Sequence, residues 1–161
     1  MLKKSAQVLN SNDHYKISQI LIQHILVPFD DSIYSYSAFK FALDLAEKYG
    51  AKISVISIIY NSSFTDINAH QTSIEKTHLV NKAKAFKKMR EIAAESKINL
   101  TSELILASSV SDAILAFASS QKADLIVMGT RGKTAGPKHM RLGSVAIDVS
   151  QSSSCPVILV K

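Results

Sequence analysis

Two places in the sequence carry side chains that could do chemistry. One is the aspartate pair Asp30-Asp31, directly after the apolar run HILVPF; the other is the segment GTRGKTAGPKHMRLGS, directly after DLIVM. The second holds Gly129, Gly132 and the step Gly143-Ser144, with Arg131, Lys133, Lys138, His139 and Arg141 around them. Glycines let backbone amides approach a ligand closely. A Gly-Ser step that opens a helix offers unpaired amides and the positive end of the helix dipole to an anion. Phosphate binding is the chemistry this composition suits. A solvated connection, with Gly129 turning the chain and Ser144 capping a helix, suits it as well, and residue chemistry alone leaves both readings open.

Other chemistries fail on spacing. Gly132-Lys133-Thr134 resembles the tail of a P-loop, but that loop needs a glycine five positions earlier, where Val127 stands inside an apolar run. The dinucleotide fingerprint G-x-G-x-x-G is absent, as is the G-x-S-x-G elbow of hydrolases. His14, His24, His70, His78 and His139 are scattered without metal-ligand spacing. Asp30 and Asp31 are adjacent, so their carboxylates diverge rather than forming an acid/base pair, and Asp31 reads as a helix N-cap. The single cysteine, Cys155, precludes an internal disulfide and, before Pro156 at the start of an apolar run, reads as a small hydrophobe. A dedicated enzyme is not expected.

These residues need elements to position them. The apolar runs HILVPF, AKISVISIIY, LTSELILAS, DLIVMG and PVILVK read as strands. Between them lie helical periods: Ala38, Ala42, Leu45 and Tyr49 on one face, with Asp or Ser capping before them and Gly50 after; Leu79, Ala83, Phe86, Met89 and Ala93; Val110, Ile114 and Phe117, capped by Ser109 or Ser111; and GSVAIDVSQSS. The alternation predicts an α/β fold: a single-domain, doubly wound, five-stranded parallel sheet with helices on both faces, Rossmann-like and of the adenine-nucleotide-binding type. Residues 19–161 form the domain and residues 1–18 a loosely ordered extension. In such a sheet ligands bind beyond the carboxyl ends of the strands where strand order reverses, which selects the loops at Asp30 and Gly129.

A net charge of +6 raises nucleic acid as a partner. The densest basic cluster, Lys82, Lys84, Lys87, Lys88 and Arg90, falls mostly off the apolar helix face and has no interleaved aromatic platform, so it reads as a solvated face. The start of the chain lacks the apolar stretch of a secretory signal, and no run is long enough to span a bilayer. A cytoplasmic protein with neither membrane nor nucleic-acid partner is expected.

HILVPFDDS, ADLIVMGTRG and LGSVAIDVSQSSSCPVILVK, in this order and spacing, resemble the universal stress protein family over about His24 to Lys161. The resemblance implies a five-stranded parallel α/β fold and a homodimer joined through the last strand, with a further, unidentified protein partner. It also implies one of two functions. Members that bind ATP (or ADP or AMP, possibly with Mg2+) share a motif G-x2-G-x9-G-S/T; others bind no nucleotide and would act as dimeric interaction modules. Here Gly129-Thr130-Arg131-Gly132 matches the first half, but ten residues, Lys133 to Leu142, precede Gly143-Ser144, one more than the pattern. The added residue is expected near Gly136-Pro137, where it either bulges outward or displaces the phosphate-facing amides.

Carried over by position, the resemblance puts Asp30 on the adenine or ribose side beside Pro28 and Phe29, with Ile58 presenting backbone to the base. Met128 and Gly129 flank the nucleoside. Gly132, Gly143, Ser144 and Val145 hold phosphates through their amides, with Arg131 near the charge. Slow ATP hydrolysis or phosphoryl transfer to Ser144 is the most catalysis it implies. Relatives commonly carry glycine where Asp31 follows Asp30 here.

Overall fold

A computed structural model describes residues 21–60, 73–133 and 142–161. The extension at residues 1–18, with His14, lies outside the described residues, as do His70, Gly136, Pro137, Lys138, His139 and Arg141.

Five strands and four helices alternate: β1 (His24–Pro28), α1 (Ile33–Tyr49), β2 (Lys52–Tyr60), α2 (Ser73–Glu95), β3 (Leu100–Ala107), α3 (Val110–Ser120), β4 (Leu125–Gly129), α4 (Ser144–Ser152) and β5 (Val157–Val160). All strand pairs are parallel, in the order β3-β2-β1-β4-β5. The chain moves outward from β1 to β3, then returns to the other side of β1 with β4. Strand order therefore reverses between β1 and β4, and their carboxyl ends open the crevice expected of such a sheet.

Strand pleating divides the core. Ile25, Val27, Ile53, Val55, Leu125 and Val127 point to one face, where Phe39 and Ala42 of α1 and Phe86 and Met89 of α2 cover them. Leu26, Ile56, Ile126 and Met128 point to the other, under Ile114 and Phe117 of α3 and Ala146 and Val149 of α4. Both faces being covered, the central strands have no solvent side to alternate toward, which is why β1 and β4 are buried throughout and, His24 apart, apolar.

The helix faces differ in detail from the periodicity. In α1 the buried set is Ser35, Ala38, Phe39, Ala42 and Ala46, while Tyr49 is half-exposed at the last turn. In α2 Phe86, Met89 and Ala93 face the core, but Ala83 faces solvent. Ser32, not Asp31, caps α1: its side chain accepts from the Ser35 amide, and Gly50 ends the helix in the left-handed conformation at φ 67°. Ser109 caps α3 in the same way, accepting from the Asp112 amide.

Candidate functional site

The turn after β1 is anchored to its neighbour before it does anything else. The Phe29 amide donates to the Ile56 carbonyl at 2.8 Å, and the Ser57 hydroxyl donates to the Phe29 carbonyl at 2.7 Å. The Phe29 ring turns into the core beneath α1 and α2, where it meets Tyr36 edge-on with centroids 4.9 Å apart. It therefore contributes backbone, not bulk, to the crevice. Burial, and secondarily the Asp31 carboxylate, raise the Tyr36 phenol above its ordinary value.

Asp30 faces the other way. One carboxylate oxygen accepts from the Ser32 amide at 3.1 Å, and the second from the Lys133 amide at 2.9 Å, a bond that reaches across to the loop after β4. A Cβ on Gly132 would stand 3.0 Å from that second oxygen, so glycine is what lets the carboxylate close on this backbone. Asp31 leaves the crevice, its carboxylate lying 3.2 Å from Lys82 Nζ on α2.

The loop after β4 begins under equal constraint. Gly129 lies against the first turn of α1, and a Cβ there would be 2.7 Å from the Tyr34 Cβ. Thr130 is buried; its amide donates to the Val160 carbonyl at 2.9 Å, and its own carbonyl accepts from the Gly143 amide at 2.8 Å. That last bond closes the loop. Where the chain leaves β4 and where it returns to begin α4 are held together, and a Cβ on Gly143 would sit only 3.7 Å from the Gly132 nitrogen. The ten-residue spacing does not part the two glycines. The Arg131 guanidinium stands 5.6 Å over the Tyr34 ring beside this junction, a cation–π arrangement that fixes its direction.

Helix α4 starts without a side-chain cap, because Gly143 at its N-cap has none to offer. Among the described residues, no acceptor meets the amides of Ser144, Val145 and Ala146. These are the donors a helix leaves unsatisfied at its first turn, at the positive end of its dipole.

Between these groups lies a cavity of about 470 Å3. Asp30, Arg131, Gly132, Gly143, Ser144 and Val145 form its polar side, and Pro28, Phe29, Ile58, Met128 and Gly129 complete the ring of positions expected from the sequence. Ser35, Val110, Ile114, Lys133 and Ala146 also line it. Val110 and Ile114 read from the sequence as core only, although a helix that follows a strand end reaches the crevice rim with its first turn. Lys133, read from the sequence as one of the loop's cations, meets Asp30 through its backbone amide. Among the described residues, no group of three metal-binding side chains comes together.

The model of the universal stress protein family matches residues 21–161. A universal stress protein of Methanocaldococcus jannaschii is 35% identical over 143 residues, covering 88% of this chain and 83% of its own length. The universal stress protein YxiE of Bacillus subtilis is 32% identical over 155 residues, covering 88% of this chain and all of its own. Among solved structures, the universal stress protein UspA of Lactobacillus plantarum superposes with a TM-score of 0.78 at 23% identity, over 87% of this chain and 98% of that one. A universal stress protein of Archaeoglobus fulgidus in complex with dAMP gives 0.64 at 22% identity, over 88% and 99% of the two chains. A universal stress protein in complex with cAMP gives 0.64 at 20%, over 87% and 97%. At these identities the structures show a shared fold.

Proposed function

Because the chain belongs to the universal stress protein family, we propose that it is a cytoplasmic, ATP-binding stress-response module. In this reading it pairs as a homodimer through β5, and nucleotide occupancy controls its binding to a partner protein. The observation that carries the reading is the closure of the glycine loop by the Gly143 amide on the Thr130 carbonyl at 2.8 Å. Closure keeps Gly132 beside the open amides of α4 despite the longer loop, so the polar end of the cavity suits phosphate. The opposite side, made by Ile58, Val110, Ile114 and Met128, is apolar and suits the faces of a purine. Asp30 stands between them, an acceptor for ribose hydroxyls. The relatives solved with dAMP and cAMP support the adenine class.

ATP is favoured within that class because Arg131 and the first turn of α4 offer positive potential to more than one phosphate. Mg2+, if it accompanies the nucleotide, would be held by phosphate oxygens rather than by Asp31, which is paired with Lys82.

Ser144→Pro tests the reading. Proline is favoured at the first helical position, and the extended conformation of Gly143, φ −68° and ψ 151°, is the one proline imposes on its predecessor. The substitution removes one amide donor and the hydroxyl while leaving the helix intact. A donor to a charged phosphate contributes about 1.5–3 kcal/mol, so affinity for ATP should fall about 10- to 100-fold at unchanged melting temperature, with Ser144→Ala falling less. Calorimetric titration of wild type and variant gives the answer. Wild-type affinity in the proline variant would take the phosphates away from α4, and a wild type that neither retains nucleotide through purification nor binds added ATP would leave a dimeric interaction module.

A further inference from the structure

The two aspartates of the β1–α1 turn are sent to opposite sides of it. Asp30 points into the crevice and holds the amides of Ser32 and Lys133. Asp31 has a left-handed backbone, φ 67°, a conformation that glycine enters without strain and that aspartate tolerates better than most side chains. Its carboxylate reaches Lys82 on α2 at 3.2 Å, with the two side chains only 22% and 15% exposed. The same ammonium stands 5.9 Å over the Phe29 ring. An ion pair at this depth is poorly screened, and removing one partner leaves the other charge uncompensated.

We propose that Lys82 is a positioning residue for the nucleotide site, acting through Asp31. Its pairing with Asp31 stabilises the left-handed turn that aims Asp30 into the crevice, and it cancels a negative charge that would repel phosphate from the cavity's polar end. Glycine at position 31 would give the same turn with no charge to cancel. In this chain the aspartate and the lysine together do what glycine would do alone, and they tie α2 to the floor of the site as well. The proposal rests on the nucleotide reading above.

The test is titration of ATP and AMP into wild type, Lys82→Met, Lys82→Arg, Asp31→Asn and the double variant Lys82→Met/Asp31→Gly, with ligand-free melting curves for each. Methionine keeps an apolar stem over Phe29 and removes the charge. Lys82→Met should weaken ATP about tenfold and AMP about threefold, since repulsion by the bared carboxylate grows with ligand charge. Asparagine tolerates the left-handed conformation of position 31 as aspartate does, so Asp31→Asn keeps the turn, leaves the ammonium unopposed and should tighten ATP severalfold. Lys82→Arg should bind within about threefold of wild type, and the double variant should return to it. Opposite signs for Lys82→Met and Asp31→Asn cannot come from a general loss of folding. Equal affinity of Lys82→Met and wild type for both ligands would overturn the proposal while leaving the nucleotide site in place. So would equal weakening of ATP and AMP by both single variants. A wild type that binds neither ligand overturns the nucleotide reading itself, before any variant is compared.

Discussion

Three glycines make up the motif at this crevice, and the structure constrains them unequally. Gly129 has no room: a Cβ would meet Tyr34 at 2.7 Å on its Cβ and 2.8 Å on its backbone carbonyl carbon. Gly132 clears the Asp30 carboxylate, which a Cβ would approach to 3.0 Å. Gly143 has ordinary space, its nearest contact being 3.5 Å from the Arg131 Cα, and an unexceptional φ of −68°. Gly129→Ala should therefore cost about 3 kcal/mol, at the upper end of overpacking, because helix backbone cannot yield as a side chain would. Gly143→Ala should cost at most about 1 kcal/mol, the difference between glycine and alanine at an N-cap. Urea unfolding of both variants checks this, and similar midpoints for the two would mean that β4 does not press on α1 as closely as described. Spacing alone gives these positions one shared explanation, since packing against Tyr34 belongs to an element nearly a hundred residues earlier in the chain.

What could be read ahead of the structure follows the physics of each element. The five strands and four helices were legible because a sheet covered on both faces demands apolar strands, and because each helix must bury one stripe. The crevice was legible from two unusual loops at strand carboxyl ends, whereas the order β3-β2-β1-β4-β5 that sets them side by side is not implied by the alternation. Lys82 was not, although Lys82, Phe86, Met89 and Ala93 continue one helical stripe; its charge assigned it to solvent, and only the Asp31 carboxylate and the Phe29 ring explain its burial. The capping of α1 by Ser32 was hidden for a related reason, as three candidates stand in a row and only backbone angles separate them. β5 raises the opposite question, being legible but unpartnered. Its four residues, Val157–Val160, are all half-buried, paired with β4 on one side and with no described strand on the other. An apolar edge of this kind is an aggregation hazard unless covered, and a second copy of the same edge would cover it. Sedimentation equilibrium should give twice the mass of the 17.6 kDa chain at micromolar concentration. A monomer there would remove β5 as the dimer contact.

The molecule separates chemistry from stability along the strand direction. The carboxyl ends of β1 and β4 carry the crevice; the amino ends carry a buried polar cluster that takes no part in it. His24 is only 3% exposed, with Nδ1 3.1 Å from the Gln121 carbonyl and Nε2 2.8 Å from the Ser54 hydroxyl, which in turn lies 2.9 Å from Thr101. A carbonyl can only accept, so Nδ1 carries the proton and Nε2 accepts from Ser54 in a neutral ring. Burial is the largest influence on this imidazole and, aided by Lys52, lowers its pKa below 6.5 against the opposing pull of the Gln121 carbonyl and Asp124. The unfolded chain keeps the ordinary value of about 6.5. Above it the ring is neutral in both states and contributes no pH dependence; below it the unfolded state binds the proton first, and stability falls as pH falls until the native ring titrates too. Urea midpoints measured from pH 8 to 5 should hold until about 6.5 and then decline, and His24→Gln, which keeps one donor and one acceptor, should flatten that decline. Because the cluster sits at the far end of the sheet, the same variant should leave ATP affinity at pH 7.5 unchanged. A decline that persists in His24→Gln would assign the acid sensitivity to other groups, and a change in ATP affinity would mean that the two ends of the sheet are coupled through the strands between them.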